Sequence, residues 1–361
     1  MATIGYAQIE SDLEEEEEIP FQYTISSYGA DYPVDGLVKR IDSGDIRIPP
    51  FQRSYVWKIT KASRFIESLL LGLPVPGIFL SKEQETNKLL VIDGQQRLRT
   101  LQYFYNGIFE PTKREFALCG VQRQFQGKTY KSLGDDDRRL LNDSILHATV
   151  VKQDVPSEDD SSIYHIFERL NTGGELLRPQ EIRASIYHGG FNDLLNQLNE
   201  DQSWRSIYGK KPSFMKDPRM RDQELILRFF AFYFNSENYQ TPMKDFLNKY
   251  MGENRKFKLQ SREKLSKVFI DTIELIYKCL GNRAFKPIKG LNAAIFDAVM
   301  IGVARRLEKG EIRNPDALQD KYDLLLKNND FFSATSKGGT LSEDKVRRRI
   351  ELATKAFYDL E

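Results

Sequence analysis

The pattern of apolar residues changes near residue 190, and this change constrains the fold more than any other feature of the chain. Before it, short apolar runs alternate with segments of helical periodicity. The apolar runs include GIFLS, KLLVI and ILHATVVKQ, and the helical segments include KASRFIESLLLG. Short apolar runs predict strands, whereas recurrence every three or four residues predicts helices. The first half is therefore predicted to be an α/β or α+β domain.

After about Gly190 the strand signals fade, and long segments such as ELILRFFAFYF and LSKVFIDTIELIYKCL carry helical periodicity. A length of 361 residues also exceeds the usual size of one domain. The run of glutamates near the start repels itself and buries nothing, which is typical of disorder. We predict the α+β class, with an acidic disordered tail over residues 1–20, an α/β domain over 21–190 and a helical domain over 191–361.

The composition excludes several classes of protein. The formal net charge is +1 at pH 7, so no overall basic field indicates nucleic-acid binding. No apolar run approaches the length of a membrane span, and the acidic start lacks the features of a signal peptide, so a soluble cytoplasmic protein is predicted. Cys119 and Cys279 lie far apart without ligand residues nearby, which favours buried thiols over a disulfide or a zinc site.

Histidines are scarce. His147, His165 and His188 are too few and too scattered for the usual metal-binding patterns. Their scarcity also argues against a nuclease module of the HNH type, because that chemistry requires histidines grouped around a metal ion. No metal site held by protein side chains alone is predicted.

The first polar cluster lies in KLLVIDGQQRLRTLQYFYNG, residues 88–107, at a predicted switch from strand to helix. The apolar run that ends at Ile92 predicts a buried strand, and Leu98, Leu101 and Phe104 recur at helical spacing. A helix that starts directly after a strand presents free backbone N–H groups and the positive end of its dipole, which favours an anion site. The residues at this switch are Asp93, Gly94, Gln95, Gln96 and Arg97.

A structural interpretation of the same cluster is equally open at this point. Asp93 followed three residues later by Gln96 fits a capping box, in which the acid caps the helix and the amide reaches back to the cap N–H. Capping explains those two residues but not Gln95 and Arg97. The stretch alone does not decide between a site and a cap.

Two further clusters carry the same ambiguity. In RIPPFQRSYVWKITKASRF, residues 47–65, prolines and aromatic residues would hold Gln52 and Arg53 in place, or the segment is only an aromatic packing loop. In IFERLNTGGELLRPQEIRASI, one predicted helix ends at Asn171 and the next starts near Pro179. The double glycine between them either lets backbone approach a phosphate or simply ends a helix.

Taken in order and at these separations, FQRSYVW, DGQQR and FERLNTGGELLRPQEIR resemble the N-terminal domain of GmrSD-type restriction endonucleases, within the ParB and sulfiredoxin-like superfamily. The resemblance covers residues from about 25 to 190 and extends loosely into the helical half, where MRDQELILRFF and KDFLNKYM look like the family's helical extension. It implies a ParB-like α/β domain followed by helices.

The resemblance also implies nucleotide binding and, as in several members, hydrolysis of a nucleoside triphosphate with Mg²⁺ in bacterial defence against phage or modified DNA. By position it assigns Asp93 and Gln96 to catalysis. It assigns the nucleotide and its phosphates to Gln52, Arg53, Gly94, Gln95, Arg97 and Asn171. No Walker A motif is present, so the phosphate cradle must be of the family's own kind.

One departure from the family affects the expected partners. Many relatives carry a C-terminal HNH nuclease domain, whereas this chain ends in helical patterns without the necessary histidines. We therefore expect a sensor or switch module that acts with a separate nuclease subunit. The chain is further expected to contact DNA, to form a homo-oligomer and not to bind a membrane. The alternatives are a non-catalytic ParB-like DNA-binding or adaptor protein and, less favoured, a nuclease active in the ParB-like domain.

Four basic segments are candidates for phosphate contacts. They are KTYK near Lys128, RSIYGKKPSFMKDPRMR from Arg205, NRKFK from Asn254 and KVRRR from Lys345. The interpretation favoured for each is an ordinary solvated helix surface.

Overall fold

A computed structural model describes most of the chain as two compact units. The described residues are 24–48, 55–83, 86–155, 161–170, 177–209, 216–217, 219–287, 290–312, 314–336 and 338–360. The sheet unit comprises Gln22–Leu177 and Ala184–Ile186, and the helical unit includes Arg178–Arg183 and Tyr187–Glu361. The predicted tail over residues 1–20 lies outside the described residues.

The sheet unit combines short strands with helices. Its strands are β1 (Thr24–Pro33), β2 (Ile46–Arg47), β3 (Ile78–Lys82), β4 (Leu89–Asp93), β5 (Ile108–Phe109), β6 (Arg114–Glu115) and β7 (Ile145–Val155). Its helices are α1 (Val34–Asp42), α2 (Ile59–Leu70), α3 (Gln95–Asn106), α4 (Asp135–Asp143) and α5 (Ser161–Leu170). The apolar runs and helical segments named above thus form the strands and helices that they predict.

Five strands form one mixed sheet in the order β1-β7-β3-β4-β2. β1 pairs antiparallel with β7, and β3 pairs antiparallel with β4. The pairs β3–β7 and β2–β4 are parallel, and β5 and β6 form a separate two-stranded sheet. Together with the helices that follow, this mixed sheet confirms the predicted α+β class.

Strand β4 is buried on both faces of the sheet, because its successive side chains point to opposite faces and both sets are buried. Leu89 and Val91 belong to one apolar cluster with residues of α1, α2, α3 and α4. Leu90 and Ile92 are also buried but point to the opposite face. Helix α5 contacts β4 and β7, and its Phe167 is buried. A strand covered on both faces reads as a continuous apolar run, as LLVI does.

Strand direction decides where the polar clusters lie. β2 and β4 are parallel, so their carboxyl ends point to the same edge of the sheet, which we call the motif edge. There β4 ends at Asp93, and β2 ends at Arg47, a few residues before Gln52. The segment that follows β2 therefore leaves the sheet at the edge where α3 begins.

The helical unit contains no strand among its described residues, in agreement with the periodicity of the second half. Helix α6 (Pro179–Ile186) starts at the predicted proline and is divided between the two units after Arg183. The remaining helices are α7 (Gly190–Leu198), α8 (Gln202–Tyr208), α9 (Arg221–Asn235), α10 (Met243–Glu253), α11 (Arg262–Leu280), α12 (Ala293–Leu307), α13 (Pro315–Leu326), α14 (Asn329–Ser336) and α15 (Glu343–Phe357).

Helix α12 forms the centre of the helical unit. It is buried along nearly its whole length and packs against α9, α11, α14 and α15. None of the helices in the described part of the chain is long and apolar enough to span a bilayer. Cys119 and Cys279 are free and only partly buried, so the prediction of buried thiols is correct in part.

Candidate functional site

The turn between β4 and α3 is built around Gly94. Its φ of 101° lies in the left-handed region, which residues with a Cβ atom rarely adopt. A Cβ atom at this position would also overlap Ile78 Cγ2 and lie 2.9 Å from Ile78 Cβ. Glycine is therefore required at this position for two reasons: the backbone is left-handed, and Ile78 of β3 occupies the space of a Cβ atom. The turn places Asp93 and the first turn of α3 together at the motif edge.

Asp93 and Arg97 form an ion pair on this turn. Arg97 Nη2 donates to Asp93 Oδ2 at 2.7 Å. The Asp93 side chain is 52% exposed, whereas that of Arg97 is only 16% exposed. Asp93 does not cap α3, because Gly94 is the N-cap residue and no side chain bonds to the cap position. The capping-box interpretation of Asp93 is thus wrong.

Gln96 holds the incoming segment before α2. Its Oε1 accepts hydrogen bonds from the backbone N–H groups of Val56, at 3.0 Å, and Trp57, at 3.3 Å. In a capping box this oxygen would instead turn back to its own helix. Gln96 therefore ties the end of the FQRSYVW segment to the first turn of α3, over a separation of 40 residues.

A second tie joins the same segment to the next turn of α3. Thr100 Oγ1 donates to Gln96 O at 2.7 Å, so its own proton is used within the helix. The Tyr55 hydroxyl lies 2.6 Å from Thr100 Oγ1 and must donate to it. Burial raises the pKa of Tyr55 to about 12, so this hydroxyl keeps its proton at neutral pH. The sequence places Tyr55 among the aromatic residues that anchor this segment, and its ring packs against Tyr103 and Phe109. Its hydrogen bond to Thr100 was not predicted, although the spacing of Gln96 and Thr100 by one helical turn placed them on one face.

Arg97 has hydrogen-bonding capacity to spare. Its Nε is buried and has no hydrogen-bond partner among the described residues. A buried donor left without a partner costs about 1–3 kcal/mol. The Arg97 side chain is still partly exposed, and it lies next to an exposed carboxylate at the start of an uncapped helix, an arrangement suited to an anionic ligand. Gln95 is 8% exposed and lies under this surface rather than on it.

The structure brings four of the predicted site residues together with Gly94 at the motif edge. Asp93, Gln95, Gln96 and Arg97 all lie within β4 and the first turn of α3. The other predicted residues, Gln52, Arg53 and Asn171, lie outside the described residues. Their predicted roles stay predictions.

Most described cations of the basic segment from Arg205 are already paired within the helical unit. Lys216 lies 2.6 Å from Glu200, and Arg221 lies 2.8 Å from Asp217. Arg205, almost fully buried, lies 3.0 Å from the equally buried Asp222. In KVRRR, Arg349 is fully buried as well. These contacts favour a structural role for both segments over phosphate contacts.

The described residues contain no group of three or more His, Cys, Asp or Glu side chains that could hold a metal ion. A site in which one carboxylate and a bound ligand share the ion is a different case, and Asp93 is the exposed carboxylate at this turn.

We expect the hydrogen bonds that Gln96 accepts from Val56 and Trp57 to contribute measurably to the free energy of unfolding. Gln96→Ala removes the acceptor for two backbone N–H groups, so the free energy of unfolding should fall by about 1–2 kcal/mol. Gln96→Glu keeps an acceptor oxygen and should lose less. Gln102→Ala is the matched control, because Gln102 lies on the same helix and its amide donates to Asp42 Oδ1 on an exposed surface. Urea unfolding of the three variants measures the difference, and equal losses for Gln96→Ala and Gln102→Ala would contradict the tie.

Residues 34–188 match the family described as the GmrSD restriction endonuclease, N-terminal domain. By this match, residues 34–188 resemble the N-terminal domain of that endonuclease family. The match begins at the first residue of α1 and ends just after α6, so it includes the β4–α3 turn and both ties to it. The resemblance seen in the motifs is thereby confirmed. No curated protein among those compared matches the chain. The GmrSD N-terminal domain indicates a component of a restriction-type or phage-defence system.

Proposed function

We propose that the GmrSD N-terminal domain of this chain binds a nucleoside triphosphate at the motif edge and hydrolyses it, as the switch module of a defence system. The observation that supports this most is the Asp93–Arg97 pair, in which an exposed carboxylate accompanies a largely buried guanidinium with an unused donor. Arginine recognises phosphate through several donors at once, and one of the five donors of Arg97 is occupied by Asp93.

The same turn supplies the remaining requirements of a phosphate site. The N-terminus of α3 has no side-chain cap, so its dipole favours a negative charge in front of it. Gly94 allows the tight turn that places the first turn of α3 directly after β4. Gln96, with Tyr55 and Thr100, fixes the segment that follows Arg53. Arg53 precedes Tyr55 by two positions in the sequence, and we propose that it adds a second guanidinium to the site.

Asp93 fits the needs of Mg²⁺ bound together with phosphates. Mg²⁺ keeps several waters and usually takes only one or two carboxylates, with phosphate oxygens completing its shell. Asp93 is exposed enough to hold such an ion through water. When bound, the ion would neutralise charge on the phosphates. The chain's own contribution is to orient the ligand through Arg97 and to accept a hydrogen bond from the attacking water at Asp93.

The competing function is that of an adaptor that binds nucleotide or DNA without hydrolysis. A direct experiment separates the two. The full chain is incubated with Mg²⁺ and each common nucleoside triphosphate, with and without duplex DNA, and released phosphate is measured. Release above the rate without protein supports hydrolysis; binding by calorimetry without any release supports the adaptor. A separate nuclease subunit is proposed as the partner that would respond to the nucleotide state.

Removing the Arg97 guanidinium should weaken nucleotide binding without unfolding the protein. A hydrogen bond to a charged group contributes about 1.5–3 kcal/mol, so Arg97→Ala should lower the affinity roughly 10- to 100-fold. Isothermal titration measures the affinity, and thermal melting shows that the fold is kept. Lys39→Ala is the control, because Lys39 forms the same kind of pair with Asp35, at 2.8 Å and one helical turn apart. An unchanged affinity for Arg97→Ala would exclude Arg97 from the phosphate site.

A further inference from the structure

Two segments of the sheet unit form a surface with an uneven charge. Residues 56–66, VWKITKASRFI, and residues 116–134, FALCGVQRQFQGKTYKSLG, contain three Lys or Arg each and no Asp or Glu. The chain as a whole has a formal net charge of only +1. Acidic residues border these segments at Glu67, Glu115 and Asp135, but none lies within them.

The two segments are packed together. The backbone N–H of Cys119 donates to Ser63 Oγ at 3.0 Å, and Arg64 Nε donates to Gly120 O at 3.4 Å. The first acidic residue beyond the helical segment, Glu67, is partly buried and accepts a hydrogen bond from Gln122 N at 2.6 Å. These contacts bring the charges of both segments to one face of the domain. We call this face the α2 surface, and its exposed cations are Lys58, Lys61, Arg64, Arg123, Lys128 and Lys131.

None of these six cations makes an ion pair in the described part of the chain, unlike those from Arg205 onwards. Lys61 Nζ lies 4.8 Å from the centre of the Trp57 ring and forms a cation–π contact with it. Helix stability does not explain their placement either. Lys58 and Lys61 sit at the N-terminus of α2, which has no acidic residue in its first turn, and cations there oppose the helix dipole. An external polyanion would relieve this repulsion.

We infer that the α2 surface binds the phosphate backbone of duplex DNA. From Lys58 to Arg64 the helix rises about 9 Å, which matches two to three successive phosphates of one strand at about 3.4 Å each along the duplex axis. Arg123 and Lys128 extend the same face on the neighbouring loop. The choice of DNA over other polyanions rests on the proposed role in a restriction-type system. Contacts of this kind supply affinity and orientation and read no sequence.

Binding of a fluorescent duplex, followed by anisotropy between about 50 and 200 mM salt, tests the α2 surface. The variant is Lys61→Gln with Arg64→Gln and Arg123→Gln. The control is Lys39→Gln with Lys113→Gln and Lys267→Gln, which removes the same charge from exposed lysines that are paired with Asp35, Glu110 and Asp271. The variant should bind at least about tenfold more weakly, with a salt slope smaller by roughly 2–3, and the control should change less than about threefold. Thermal melting checks both folds.

Equal affinity of variant and control overturns the inference, and so does a full chain that shows no salt-dependent DNA binding. Tighter binding to anionic vesicles or to duplex RNA than to duplex DNA overturns the choice of ligand. Titration of a nucleotide into the same variant separates this surface from the proposed nucleotide site. An unchanged nucleotide affinity supports two sites, and a parallel loss overturns the separate surface. If the wild-type chain binds no nucleotide, the proposed function fails while the DNA result stands.

Discussion

Asp93→Asn should leave the protein folded and able to bind nucleotide, but should lower the rate of hydrolysis by a factor on the order of a hundred or more. Asparagine keeps the size and one acceptor oxygen of aspartate but has no negative charge. It therefore orients a water or a hydrated Mg²⁺ poorly. The guanidinium of Arg97 remains, and losing its partner frees one more donor for a phosphate. Steady-state phosphate release gives the rate, and titration gives the affinity.

Stability is the necessary control for this variant. Asp93 is half exposed and does not cap α3, so its removal should cost less than about 1 kcal/mol, as expected for an exposed ion pair. Asp35→Asn provides the match, because Asp35 also pairs with a cation one helical turn away on an exposed surface. Hydrolysis by Asp93→Asn at the wild-type rate would show that the catalytic group lies elsewhere. A large loss of stability would instead give Asp93 a structural role.

The contrast between Gly94 and Gln96 shows what a local pattern can predict. The strand, the turn and the helix were predictable from residues 89–107, because an apolar run, a glycine and a helical spacing act within a few residues of each other. The partner of Gln96 was not, because the amide could equally satisfy its own helix. Its actual partners, the backbone N–H groups of Val56 and Trp57, are about 40 residues away. Capping boxes are local and therefore easy to recognise in a sequence, which is why this interpretation stood open until the structure contradicted it.

The edge strand β1 shows a second limit. TISSYGADYP has neither a continuous apolar run nor a clear alternation, so no strand was predicted there. It is a strand because it pairs along its length with β7, from Thr24 opposite Val155 to Pro33 opposite Ile145. An edge strand exposed to solvent buries little, so its sequence need not be apolar. Its position depends on long-range pairing.

Charge runs were the least informative part of the sequence. The run from Arg205 counts many cations, yet each of Arg205, Lys216 and Arg221 has an acidic partner. Each of the two segments that make up the α2 surface has only three cations, and KTYK is their one basic stretch. What distinguishes them is the lack of acidic residues across two segments that the fold packs together. A net charge per folded surface is therefore more informative than the number of basic residues per stretch of chain.

The buried arginine pair of the helical unit gives the largest expected effect on stability. Asp297 is fully buried and accepts from two arginines: Arg228, through Nε at 3.1 Å and Nη2 at 2.5 Å, and Arg349, through Nη2 at 2.8 Å. Burial lowers the pKa of Arg349, and attraction to Asp297 opposes that shift. Burial also opposes the charge of Arg228, but Asp297 outweighs it and raises the pKa of Arg228. One carboxylate thus compensates two buried cations.

Asp297→Ala removes the ion-pair partner of both buried guanidinium groups, and breaking a buried ion pair from one side costs about 3–5 kcal/mol. The melting temperature of the helical unit should fall by roughly 6–20 °C. Asp330→Ala is the control: Asp330 pairs with Arg348, the neighbour of Arg349, at 2.6 Å, but it is 62% exposed and should cost less than about 1 kcal/mol. Replacing all three groups, as Asp297→Leu, Arg228→Met and Arg349→Met, should recover most of the loss, because apolar side chains of similar volume need no partner. Calorimetry of the three variants decides the matter, since a loss for Asp297→Ala no greater than for Asp330→Ala would mean that water or backbone already compensates the arginines.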